Sequence, residues 1–216
     1  MQNDGNHIKL EPNLERLKEY SKRKDDMCLG NKVLYDMCRK YPLHKVEDHL
    51  FSKIWLIGRS YAASIERRHT SKEQEGIDFS EIVIRKMMII GSELDERIKS
   101  MKKLHKITKE NLALIVGTHK FLTDIFLDIT GQNKRSLASK YLHFHVPNMF
   151  YIYDSRANTA IQKYVKTPNE IKSSLMQKGD IGYVDFVSKL FVLQEHIKEK
   201  YGIEMTPRQL DSFLIF

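Results

Sequence analysis

The sequence predicts an all-α protein of about eight to ten helices in two packed lobes, with a tight helical hairpin near its middle. Three observations predict it. Proline stands only at Pro12, Pro42, Pro147, Pro168 and Pro207, and there are 10 glycines in 216 residues, too little punctuation for the frequent turns of an all-β fold. Apolar residues recur at three- and four-residue spacing in one segment after another. Two helix starts are explicit: Thr167-Pro168-Asn169-Glu170 and Thr206-Pro207-Arg208-Gln209 each offer a cap, a proline at the first helical position, and Glu or Gln three residues beyond the cap. The length suits one domain, or two small lobes, with enough chain to bury a core. No apolar run approaches the roughly 18 residues of a membrane-spanning helix.

From Pro12 to about Arg23, Leu14 and Leu17 suit a short surface helix. Val33, Leu34, Met37 and Cys38 make a second one that stops before Pro42. In VEDHLFSKIWLIGRSYAASI, 46–65, the residues Leu50, Ile54, Ile57 and Tyr61 share one helical stripe, which Trp55 and Ala62 widen. The polar stretch 69–78 contains Gly76 and predicts a solvent loop or lobe boundary. A long helix follows through Ile82, Val83, Met87, Ile90, Leu94, Ile98 and Met101. Its basic tail, Lys99, Lys102, Lys103 and Lys106, matches the negative end of a helix dipole. Thr108 predicts a cap for a helix from Lys109 to about Ile129, with Leu112, Ile115, Val116, His119, Leu122 and Phe126 inward, broken at Thr130-Gly131. Tyr183, Phe186, Val187, Leu190 and Leu193 mark a later helix that Gly202 stops.

Thirty-six Lys and Arg against 28 Asp and Glu leave a net charge of +8, which points to a polyanionic partner. Cys28 and Cys38 have no His at ligand spacing, so neither a disulfide framework nor a metal site is indicated. They read as small buried hydrophobes in a reducing cytoplasm. The first residues lack the basic flank and apolar stretch of a signal peptide, which also predicts a cytoplasmic location.

The residues with chemical potential concentrate in 126–164, FLDITGQNKRSLASKYLHFHVPNMFYIYDSRANTAIQKY. The order is helix, tight glycine turn, helix, Pro-containing loop, then an Asp that opens another helix. Gly131 suits positive φ and Asn133 tolerates left-handed backbone better than most residues, so the chain can double back quickly. Unpaired N–H groups at the start of the next helix, with Lys134, Arg135 and Ser136 beside them, form a candidate grip on a DNA backbone phosphate. Lys134 and Arg135 also read as ordinary solvated charges, although cations at a helix start oppose its dipole.

Asp154 precedes Ser155-Arg156-Ala157 and follows an apolar rim of Phe150, Tyr151 and Tyr153. It reads as a helix N-cap, or as a carboxylate in a cleft that stabilises positive charge on a sugar as its base departs and orients a water or amine. A base attacked in this way must first leave the stack. Lys140 reads as solvent-facing or as an amine nucleophile. Arg59, Tyr61 and Arg67 can line a base pocket, with Tyr61 stacking on an extruded base, and Tyr61 reads equally as core. His143 and His145 do not share a helical face, which predicts one packed and one exposed.

The string ITGQNKRSLASKYLHF, with an Asp after a short Pro-containing loop, resembles the helix-hairpin-helix DNA glycosylase superfamily, most of all the divergent bacterial proteins grouped with 8-oxoguanine glycosylases. The segments KIWLIGRSYAASIERR and TPRQLDSFLIF are also similar to members of that group. By this resemblance Gly131 matches the first hairpin glycine and Asp154 the essential Asp. Lys134, or its competitor Lys140, would correspond to the Schiff-base lysine of bifunctional members. Asn133 departs from the pattern at a second glycine position, and Tyr151 and Tyr153 stand where Val or Phe usually precedes the Asp. The run of four cysteines that holds an iron-sulfur cluster in some members is absent. The resemblance implies a monofunctional or weakly bifunctional hydrolase of the N-glycosidic bond, without cofactor or metal. Its substrate would be duplex DNA with a modified base, either an oxidised purine or a modified base of invading phage DNA, in repair or anti-phage defence. The alternative is a non-enzymatic helical module that binds nucleic acid or a partner and retains only the hairpin.

Overall fold

The computed structural model describes residues 7–24, 28–68 and 78–216. In chain order these form α1 (Leu14–Ser21), α2 (Leu29–Lys40), α3 (Glu47–Ser60), α4 (Phe79–Lys102), α5 (Leu112–Thr130), α6 (Arg135–His145), α7 (Ser155–Tyr164), α8 (Asn169–Leu175), α9 (Ile181–Tyr201) and α10 (Pro207–Ile215). The protein is all-α: among the described residues the only β pairing is an isolated antiparallel bridge between Ile8 and Val165.

Helix α6 is the pivot. Every residue from Leu137 to His145 is buried, and the helix packs on α2, α3 and α5. At roughly 1.5–3 kcal/mol for each large apolar side chain removed from water, Leu137, Leu142 and Phe144 make it the element that its neighbours dock against. Helix α5 packs on α4, α6 and α9, while α10 closes the molecule against α1 and α7. One hydrophobic cluster runs from Leu17 to Leu214 through these contacts. Among the described residues no helix is long and apolar enough to cross a membrane.

Side-chain caps account for half of the ten described helix starts. Asn13, Asp78, Asp154, Asp180 and Thr206 each accept a hydrogen bond from a first-turn backbone N–H, and Thr206 and Gln209 reciprocate as a capping box with Pro207 at the first helical position. Gly202 ends α9 in the left-handed region at φ 66°. Helix α4 passes so close to the chain before α3 that a Cβ on Gly91 would lie 2.5 Å from the His44 carbonyl oxygen.

Several expectations are corrected. Thr167 does not cap α8: Pro168, at ψ 89°, is itself the non-helical cap residue, and the Thr167 hydroxyl turns to Asp185 instead. The segment before α5 is a short 3-10 turn, Lys109–Asn111, so the α-helix starts three residues later than Lys109. Helix α3 stops at Ser60 because Ala62 takes φ 50° and the Ala63 N–H returns to the Gly58 carbonyl at 2.8 Å. Cys28 is exposed ahead of α2, where the backbone N–H groups of Asn31 and Gly30 draw its thiol down, whereas Cys38 is buried. His143 and His145 are both buried. The His143 ring bonds the Tyr35 hydroxyl at 2.6 Å and the Phe150 carbonyl at 2.9 Å, and His145 bonds the Tyr141 carbonyl at 2.9 Å. The polar stretch expected to form a loop or lobe boundary lies, at 69–77, outside the described residues.

Candidate functional site

The turn between α5 and α6 begins at Gly131, left-handed at φ 65°, and ends at Arg135. Asn133 fills the gap at the start of α6: its side-chain oxygen accepts the Arg135 N–H at 3.1 Å, and its amide donates to Asp180 at 3.0 Å. The Arg135 guanidinium makes a double contact with the Asp180 carboxylate, with NH2 to Oδ2 at 2.9 Å, and lies 5.3 Å from the Tyr153 ring centroid. Asp180 also caps α9 through the Tyr183 N–H. Burial pushes the Asp180 carboxyl up, but Arg135, the Tyr183 amide and Asn133 outweigh it and hold the group at about 2. Arg135 is therefore committed to the protein's own carboxylate. Lys134 donates to the carbonyls of Ser64 and Arg67 and so ties the turn to the segment after α3. Exposed Arg67 and Arg68 border a groove with Gln132, Asn133 and Lys134, which makes these three cations, rather than Arg135, the positive face of the hairpin.

The strap from Phe150 to Asp154 is pinned from several sides. Ser139 Oγ accepts the Tyr153 N–H at 3.0 Å, and the Tyr153 carbonyl accepts from Ser136 Oγ at 3.1 Å and from Lys140 Nζ at 2.9 Å. The Tyr183 hydroxyl donates to the Tyr151 carbonyl at 3.0 Å. Ser136 thus faces inward, and so does Lys140, in contrast to its solvent-facing reading: the side chain is buried, its amine also donates to Ser136 Oγ at 2.7 Å, and burial pushes that amine down to about 8. The reason is geometric, since α6 is covered on all sides by its neighbours and by the strap.

The strap delivers Asp154 to the start of α7. One of its oxygens accepts the Ala157 N–H at 2.9 Å, so the N-cap reading holds in the structure. The side chain also borders a cavity of about 280 Å³ between the starts of α2 and α7, the end of α3, and α10. That volume lies just below the roughly 300–1,000 Å³ typical of small-ligand sites. The cap and the cavity are compatible, because a carboxylate has lone pairs for both.

Of the residues proposed for a base pocket, Tyr61 borders this cavity. Arg59 is exposed and paired with Glu66 at 2.9 Å, and Tyr153 packs edge-on against Phe186. The cavity's other charged groups are Arg23, Lys24, Arg156, Arg208 and Asp211, none of which the sequence marked as a site residue. Arg208 is buried and donates to the Tyr61 hydroxyl at 3.0 Å and to Asp211 at 3.3 Å. Burial opposes its charge, but Tyr35, Tyr61 and Asp211 outweigh it and raise its pKa. One signal was present in the sequence: Asp211 falls on the same helical face as Pro207, Leu210 and Leu214, all buried, where a carboxyl breaks the apolar stripe.

Among the described residues no group of His, Cys, Asp and Glu could hold a metal ion. No family model, no curated protein and no solved structure matches the chain.

Proposed function

We propose that the protein is a DNA glycosylase-like hydrolase that removes a modified base, an oxidised purine, from duplex DNA in the cytoplasm. The observation that carries this reading is Asp154: a helix-starting carboxylate, aimed by a strap bound to the second helix of a hairpin, with a cavity in front of it. An extruded nucleotide would enter that cavity with Tyr61 available for stacking. As the C1′–N bond opens, the Asp154 carboxylate stabilises the positive charge on the sugar and orients a water toward C1′. Lys134, Arg67 and Arg68 supply positive charge for the phosphate backbone, and the excess of cations over the whole chain favours approach to DNA. The reaction is hydrolytic, because the Lys140 amine is covered and occupied by Ser136 and Tyr153.

The test uses duplexes containing 8-oxoguanine opposite cytosine, with further modified purines as a panel. The wild type is expected to leave abasic sites. Asp154→Asn should retain duplex binding and lose base release by about a hundred- to a thousandfold, the usual cost of removing one preorganised charge-stabilising group. Release at the wild-type rate by Asp154→Asn overturns the assignment. Salt-sensitive binding with no abasic product from any duplex favours the non-enzymatic helical module.

A further inference from the structure

Asp211 is out of place for a structural residue. It sits on the buried face of α10, and its side chain is 9% exposed. One oxygen accepts from Arg208 at 3.3 Å, while the other, Oδ1, is buried and has no hydrogen-bond partner among the described residues. A buried carboxyl oxygen left unmatched is a standing cost to the fold, which a merely structural site would remove by substitution to an apolar residue. The side chain borders the same cavity as Asp154.

We propose that Asp211 is the proton donor to the departing base, held between Asp211 and Asp154. This inference rests on the reading of the Asp154 cavity given above. An oxidised purine such as 8-oxoguanine, whose N7 already carries a hydrogen, keeps a lone pair on N3 that can take a proton as its glycosidic bond breaks. In the step, the Asp211 O–H bond breaks and an N–H bond forms on the purine. The electron pair of the C1′–N bond leaves with the base. The oxygen of a water bonds to C1′, and Asp154 takes the proton that water releases. Exchange with solvent then restores both carboxyl groups. Two acids in one cavity with different surroundings provide the division of labour that acid-assisted glycosidic cleavage requires.

The electrostatics around Asp211 agree. Burial pushes its carboxyl up to about 7, with Arg208 opposing the rise and Asp154 adding to it. Lys140 of α6 and Arg156 of α7 also pull it down. Tyr61 at the end of α3, Cys28 before α2, and Arg23 and Lys24 after α1 complete the titratable and charged groups around the cavity, and Tyr35 of α2 reaches Arg208 from behind. The group therefore exchanges its proton near neutral pH, where a general acid is most effective.

The experiment is single-turnover base release from an 8-oxoguanine:cytosine duplex as a function of pH. Wild-type release should fall as pH rises above about 7. Asp211→Asn, confirmed as folded by its circular dichroism melt, should be slower by about a hundred- to ten-thousandfold and lose the alkaline limb. Asp211→Glu retains an ionisable group and should keep that limb with a displaced midpoint. Wild-type rate and pH profile in Asp211→Asn overturn the proton-donor role while leaving the Asp154 reading intact if Asp154→Asn is inactive. Absence of release by the wild type at every pH overturns both.

Discussion

Lys140 separates two chemistries that the Asp154 cavity could support. An amine nucleophile must reach C1′, yet the Lys140 side chain is buried and its amine donates to Ser136 Oγ and the Tyr153 carbonyl. Its depressed pKa, about 8, arises from burial, and burial without access does not make a nucleophile. Lys140 is instead a positioning residue that fixes the strap carrying Asp154. Borohydride added during turnover should therefore trap no covalent protein–DNA adduct, and the abasic strand should stay unbroken until treated with alkali. A trapped adduct that disappears in Lys140→Gln would contradict this. The candidate residues were unevenly legible in the sequence. Gly131 and Asp154 were visible because a turn needing positive φ and a helix-starting Asp leave local marks. The inward turn of Lys140 was not, because it depends on the strap that folds over α6, and that packing carries no local signature.

Among the elements, the Arg135–Asp180 pair joins the start of α6 to the start of α9, and so fixes the hairpin to a helix far along the chain. The Asp180 carboxyl is held at about 2, below its unfolded value near 3.9. A carboxylate depressed in the folded state contributes stability above its unfolded pKa and loses it as pH falls toward the folded one. The stability of the wild type over Asp180→Asn, measured by urea unfolding, should therefore narrow between about pH 4 and pH 2. A constant gap across that window would show that the pair does not anchor the turn. Helix boundaries were legible where a capping side chain or a left-handed glycine decides them, as at Thr206 and Gly202, and illegible where the backbone decides against the cap. Thr167 has the residues of a capping box, but the non-helical backbone of Pro168 moves the start of α8 beyond its reach.

At the scale of the whole molecule, the all-α architecture followed from helical periodicity and sparse turn residues. The cavity did not, because its walls come from residues as far apart as Cys28 and Asp211. The segment between 126 and 164 supplies only Asp154 and Arg156 to those walls. Duplex affinity should fall steeply with salt. Replacing Arg67 or Arg68 by alanine should reduce the slope of log affinity against log salt by about one for each phosphate contact removed. An unchanged slope would place the DNA on another face. In the proposed reaction the cavity before Asp154 receives a nucleotide swung out of duplex DNA. The most direct measurement is the structure of the protein bound to a duplex carrying a tetrahydrofuran abasic analogue. The analogue's sugar ring should lie against the Asp154 carboxylate, with the phosphate backbone running along Lys134 and Arg67. A bound duplex that leaves the cavity empty, with every nucleotide still stacked, would contradict it.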